Sequence, residues 1–539
     1  MMPVHRASSL LVLTALASVS ATLTGCASGA APVASSTRLP TTAVVRRPPP
    51  NWHLLDPDLD GVPGIGSARA YRELLAGMRP KREIVVAIID GGFDTSHVAL
   101  HDKLWRNPRE VPGNGRDDDG NGYVDDIRGW NFLGGAGGRN VTHDTFEVTR
   151  LYARCTKAVA PDTLSAIERS KCPRITAQFE AGRADVQKWL ASVHASQDTL
   201  SSASRELHRA LGVDSLTVAR VESFAPSDSA ARSARITYLR LAADETDSAG
   251  LARAEADLEE QRRYSYDPSF DPRPTVGDDY ANPADRRYGN ADVVGHDPLH
   301  GTHVAGIISA VFPDVRLMVI RTVPGPGDER DKDVANSIRY AVANGAHVLS
   351  MSFGKGYSPQ KGVVDDAARY ADAHGVLIVH AAGNNGASLD TAPNYPTAAY
   401  QNGERDSRWI EVGASAWHGG DTIAARWSNY SHDRLDIYAP GAQIRSTLPG
   451  NTYGENSGTS MATPVVAGVA AMLLAYFPEL TAEDVKRIIM ASARHPNHMT
   501  RRPGGAPGSV PFDSLSVSGG IVNAYAAVLM AKQETVPRP

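Results

Sequence analysis

Cysteine is scarce, aromatic residues are few, and neither sign of charge dominates. Three cysteines cannot staple a chain of 539 residues, so a hydrophobic core must carry the fold. Phe, Trp and Tyr supply only 6% of the residues, which leaves the apolar mass to small and branched aliphatic side chains. A formal net charge of −5 offers no basic footprint for nucleic acid. Long apolar runs are almost missing. The run 465–477 (VVAGVAAMLLAYF) is too short to cross a bilayer and reads as a buried helix. Glycine (48) and proline (35) are plentiful without a repeat, which suits a loop-rich α/β protein rather than a low-complexity one.

What is present begins with an export signal. His5 and Arg6 precede the apolar run 10–16 and a stretch of small residues, so residues 1–25 read as a signal peptide. The tetrad Leu23-Thr24-Gly25-Cys26 resembles a bacterial lipobox, which implies cleavage before Cys26 and a lipid on that residue. An ordinary signal peptide cut near Ala21 or Ala27 is the alternative. The lipid on Cys26 would be the chain's one attachment to a membrane. Ala27 and Ser28 bring no acidic residue next to it, a pattern that resembles outer-membrane lipoproteins of the cell envelope. Residues 26–50 are Ala-, Ser-, Thr- and Pro-rich and end in RRPPP, a tether. In an exported chain Cys155 and Cys172 invite one disulfide, two unpaired thiols being the other reading.

From residue 51 the pattern becomes α/β. The run 84–89 (IVVAII) is continuous and β-branched, the mark of a strand buried on both faces and hence of a parallel sheet. It ends at Asp90, at the carboxyl end of a strand, where open α/β sheets place their sites. Strands are predicted at 316–320, 347–351, 376–380, 409–414 and 435–439. Helices are predicted at 331–344, 363–374, 480–493 and 521–530. From 142 to about 263 strand-like runs vanish and polar helical stretches take over, so residues 140–285 read as a helical insertion in a domain spanning 51–531, with a tail at 532–539. A lid, a gate, a docking surface or padding are its possible roles.

Ahead of that insertion lies the loop 114–126, NGRDDDGNGYVDD. Its Asp117, Asp119, Asn121 and Gly122 match the front of a calcium-binding loop. The EF-hand glutamate is replaced by Arg128, and the candidate ligands are Asp117, Asp119, Asn121, Tyr123, Asp125 and Asp126. A solvated acidic turn is the plainer reading. Calcium is the expected cofactor; no organic cofactor is expected.

Four segments carry chemistry: Asp90 after its strand, His300 in HGTHVAG, Asn384 in AAGNNG and Ser460 in GTSMATP. A serine hydroxyl is a poor nucleophile at neutral pH. It needs a base to take its proton, an acid to orient that base, and donors for the developing oxyanion. Ser460 opens the apolar helix, near unsatisfied N–H groups that favour negative charge. Helix capping alone is the bland reading of that position. His300 and His303 also raise a zinc site, but no HExxH glutamate accompanies them.

Together the four segments resemble the motifs of the subtilisin-like serine proteases, in the chain order Asp, His, Ser. The resemblance implies an α/β fold with three layers and a mostly parallel central sheet. It implies Asp90 as orienting acid, His300 as general base, Ser460 as nucleophile and Asn384 as oxyanion donor. It also implies that Ser350, Ser352, Phe353 and Gly354 line the substrate pocket, facing an edge at 323–328. The expected function is a monomeric serine endopeptidase acting on protein or peptide substrates. A latent or inactive scaffold lipoprotein on the same fold is the alternative.

Overall fold

The computed structural model describes residues 47–156, 165–243, 246–505 and 507–535. The signal segment, Cys26 and most of the tether lie outside the described residues.

The run at 84–89 becomes strand β1, Val85–Asp90, all six residues buried. Its neighbours are β2 (Gly129–Asn131), β3 (Arg316–Arg321), β4 (Val348–Met351), β5 (Leu377–Ala381), β6 (Trp409–Ser415) and β7 (Ile437–Pro440). They form one seven-stranded sheet in the order β2-β3-β1-β4-β5-β6-β7. Every pairing in it is parallel. Side chains along β1 alternate between two cores. Val86 and Ile88 pack with Val304, Ile308, Val465 and Val466 from the helices Leu299–Val311 and Thr459–Tyr476. Val85, Ala87 and Ile89 pack with Ile338, Ala341, Val364 and Ala367 from the helices Asp331–Ala343 and Lys361–Ala373. Helices on both faces are why these strands read as unbroken apolar runs. By length and composition Thr459–Tyr476 resembles a membrane span, but it is buried from Met461 to Tyr476 and is a core helix.

The described chain divides into two units, residues 48–182 with 263–535, and Arg183–Arg262. The second is helical: the later part of Ala166–Leu211, then Val218–Ser223, Ser229–Ala243 and Ser248–Glu260, around a small core of Ala203, Leu207, Val221 and Ala234. It is narrower than the insertion expected at 140–285. The flanks of that stretch pack inside the first unit. Phe146 meets Tyr266 at a ring separation of 5.0 Å, Tyr152 stacks on Phe179, and Arg273 pairs with Asp333. Cys155 and Cys172 are joined in a disulfide in that flank.

Three short features were not predicted: β2, and the hairpins Ile444–Leu448 with Thr452–Asn456 and Met499–Arg501 with Ser509–Pro511. Each strand has three to five residues, too few to show a period above the surrounding loops.

Candidate active site

Asp90 ends β1 while its neighbours run on. Register pairs Asp90 with Arg321 and Ile89 with Met351, so residues beyond 321 and beyond 351 overhang the end of β1. The backbone amides of Thr322 and Val323 both donate to the Asp90 carbonyl, at 2.8 and 3.1 Å. The backbones of both neighbouring strands thus run on past the point where β1 ends.

His300 is the second residue of the helix Leu299–Val311. Its Nδ1 lies 2.9 Å from each oxygen of the buried Asp90 carboxylate. That contact places the proton on Nδ1 and leaves Nε2 as the basic nitrogen. Two glycines permit the approach. A Cβ on Gly301 would lie 2.2 Å from the Gly92 carbonyl, and Gly92 itself has φ 110 with Val294 O at 2.3 Å from its absent Cβ. The helix carrying the histidine can therefore sit directly on the turn after the aspartate.

Ser460 is half-buried in the first turn of Thr459–Tyr476. Its hydroxyl donates to the Ser352 carbonyl at 3.1 Å, and the Ser352 hydroxyl donates to the Ser460 carbonyl at 3.0 Å. Asn384 follows the end of β5. Its Oδ1 accepts from the Thr459 amide at 2.8 Å and from the Thr459 hydroxyl at 3.0 Å. With the oxygen held there, the Nδ2 donors turn the other way.

The pocket residues separate into two groups. Ser352, Phe353 and Gly354 lie in the overhang of β4. Ser350 does not. It sits inside β4, paired with Ile88 on one side and Val379 on the other, and is fully buried. Both of its backbone edges serve the sheet, so the expectation that it lines the substrate pocket is corrected. The edge at 323–328 is partly taken by the chain itself: Gly325 N donates to Thr142 O, Asp144 N to Pro326 O and Asp328 N to Thr145 O.

In the acidic loop, the carboxylates of Glu110, Asp119 and Asp126 converge, with one oxygen of each within 4.8 Å of the others. Glu110 was missed by sequence reasoning because it lies upstream of the motif. Its Oε1 accepts from the amides of Asp118 and Asp119, and its buried Oε2 has no hydrogen-bond partner among the described residues. Burial pushes the Asp126 carboxyl up to about 6, against hydrogen bonds from Tyr340, Asn107 and Asn121 that lower it. The other candidates point elsewhere. Asp117 accepts from the Asn121 and Gly122 amides, and Asn121 Oδ1 from the Tyr123 amide. Asp125 binds the amides of Gly113, Asn114 and Gly115. The Tyr123 hydroxyl donates to Arg286 O. These bonds shape the loop around the three converging acids.

His303 is fully buried, with Nε2 3.3 Å from the Gly454 carbonyl, and burial pushes its pKa down to about 3. Among the described residues the three-carboxylate cluster is the grouping with metal-ligand geometry, and it contains neither His300 nor His303.

Subtilisin NAT of Bacillus subtilis subsp. natto is 36% identical over 208 residues, which cover 36% of this chain and 51% of that protein. Subtilisin of Bacillus pumilus is 36% identical over 210 residues, covering 36% and 70%. A mutant of the protease domain of PatA, solved as a structure, is 27% identical, with 44% of this chain and 82% of that chain covered at a TM-score of 0.34. The chain spans about half the length of the first of these curated relatives. The subtilase family model matches residues 81–506, a stretch that contains Asp90, His300, Asn384 and Ser460, and the chain belongs to the subtilase family.

Proposed function

We propose that the chain is a serine endopeptidase that cuts peptide bonds in exported or envelope proteins through an acyl-enzyme. The observation that carries this reading is the Asp90–His300 contact at 2.9 Å, at the end of β1, where the overhanging backbones of β3 and β4 would flank a slot for a peptide to add as a strand. In the reaction the Ser460 hydroxyl turns from the Ser352 carbonyl towards His300 Nε2 and attacks the scissile carbonyl. His300 takes the proton, and the ion pair with Asp90 stabilises the imidazolium. The tetrahedral oxyanion is met by Asn384 Nδ2 and the Ser460 backbone N–H. Collapse expels the amine, protonated by His300, and leaves an ester on Ser460 Oγ. Water, deprotonated by the same imidazole, then hydrolyses that ester.

Ser352, Phe353 and Gly354 hold the substrate backbone along the slot. Calcium fits the cluster of Glu110, Asp119 and Asp126, because a buried carboxylate oxygen without a partner suits a hard cation. Its role there is structural. A lipid on Cys26 would tether the enzyme to the envelope membrane.

The test is labelling of soluble residues 27–539 with a fluorophosphonate, beside Ser460→Ala. Labelling of the wild type and not the variant is expected. A wild type that stays unlabelled, with and without calcium, would instead favour a scaffold lipoprotein.

A further inference from the structure

Lys355 follows the overhang 352–354 and is buried, with only 1% of its side chain exposed. Its ammonium joins three segments of the chain. Nζ lies 2.7 Å from the carbonyl of Glu329, in the loop between β3 and the helix Asp331–Ala343. It also lies 3.0 Å from Glu147 Oε2 and 2.8 Å from Asp331 Oδ1. The segment after β4 and the loop after β3 are thus joined by one side chain.

Glu147 holds that bridge from the flank of the helical insertion. Its amide donates to Asp328 Oδ2 at 2.8 Å, and its Oε2 accepts from Arg150 Nη2 at 2.7 Å. Arg150 in turn donates to the carbonyls of Asp328 and Glu329, at 3.2 and 3.4 Å. Arg330 forks onto Asp144 at 2.7 and 3.0 Å. Burial by itself would raise the Glu147 carboxyl, but the charges of Arg150 and Lys355 outweigh it and hold the group low, at about 2. Burial would likewise lower Lys355, and the carboxylates of Asp331 and Glu147 hold it raised instead. The bridge is therefore charged on both sides at neutral pH. A buried pair of this kind resists opening because either partner alone is left uncompensated.

We propose that Lys355, anchored by Glu147, closes the far end of the peptide slot and so limits how much of a substrate the slot can read. Counting from Ser352, which bonds Ser460, the segment offers Ser352, Phe353 and Gly354 before the bridge. At roughly 3.3 Å per residue that segment is about 10 Å long, room for about three substrate residues on one side of the cut bond. Lys355 is a positioning residue here, not a catalytic one. The inference rests on the reading of Ser460 as nucleophile and of 352–354 as the substrate edge.

The experiment uses peptides lengthened one residue at a time on either side of the cut bond. They are assayed with the wild type, Lys355→Met and the charge-neutral double variant Glu147→Gln/Lys355→Met, each also titrated with a fluorophosphonate. The double variant covers the case in which Lys355→Met alone leaves its acids unpaired and fails to fold. In the wild type, kcat/KM is expected to stop rising after about the third residue on one side. In the variants a fourth residue should add at least fivefold, mainly through KM, while the labelling rate of Ser460 changes less than twofold. A wild type that keeps gaining from the fourth and fifth residues overturns the closed end. So do variants that level off where the wild type does, or that lose labelling in parallel with peptide cleavage. A wild type that neither labels nor cleaves removes the reading of Ser460 itself, a different result from any of these.

Discussion

Two histidines that take no part in the proposed chemistry give the molecule an acid limit. His53 and His303 are fully buried, and burial lowers them from 6.5 to about 4 and about 3. A histidine that stays neutral when folded binds fewer protons than it does in the unfolded chain between those values. Stability is therefore full above about pH 6.5 and is lost as pH falls towards the folded values. At pH 5 each group should cost about 2 kcal/mol. Burial also lowers His347 to about 4, so urea unfolding between pH 7 and pH 5 should show the summed loss, and His53→Phe should remove the share due to His53, about 2 kcal/mol. An unchanged slope in His53→Phe would show that the group is protonated in the fold. At this scale the sequence is legible where chemistry demands a residue type. Asp90, His300, Asn384 and Ser460 stand in motifs whose neighbours are small enough to let backbones touch. Ser350 was misread because alternation along β4 decides its surroundings, and the motif does not encode where β1 stops. Lys355 carried no signal, since its meaning depends on Glu147, 208 positions away.

The acidic loop shows what an element adds to a motif. The pattern of alternating Asp and Asn was legible, but most of those oxygens hold backbone amides and build the turn. The converging set needs Glu110 from outside the pattern. Calcium should raise the midpoint of thermal unfolding, by mass action on the folded state. Glu110→Gln and Asp119→Ala should each abolish that rise while leaving fluorophosphonate labelling at 25 °C in place. Equal midpoints with and without calcium in the wild type would remove the site. The sheet itself was read correctly in its long members, since burial on both faces leaves short, continuous, β-branched apolar runs. The three-residue β2 was invisible for the opposite reason. It pairs with β3 through Gly129, where a Cβ would lie 1.7 Å from the Val319 carbonyl, so its identity rests on closeness rather than on hydrophobic pattern.

For the whole molecule, the insertion was legible as a change of composition, and its borders were not. Composition is polar and helical from 142 to about 263 and turn-rich beyond it, whereas the aromatic and ionic contacts that bind the flanks within the first unit are long-range. The disulfide belongs to that flank, as do Glu147 and Arg150. Removing residues 183–262 and joining the ends with a short glycine linker should therefore leave the peptide slot and the Lys355 bridge intact. The shortened protein should still label at Ser460 within about twofold of the full chain. Loss of labelling in a soluble, folded product would show that the second unit is needed for the active state.

Gly182 lies against the ring of Tyr266, close enough that a Cβ there would meet the hydroxyl oxygen at 2.1 Å. The chain thus leaves the first unit and re-enters it at nearly the same spot. Such a doorway imposes little on whatever is strung between its posts, so a foreign reporter or binding module of similar span can be grafted there without disturbing the first unit.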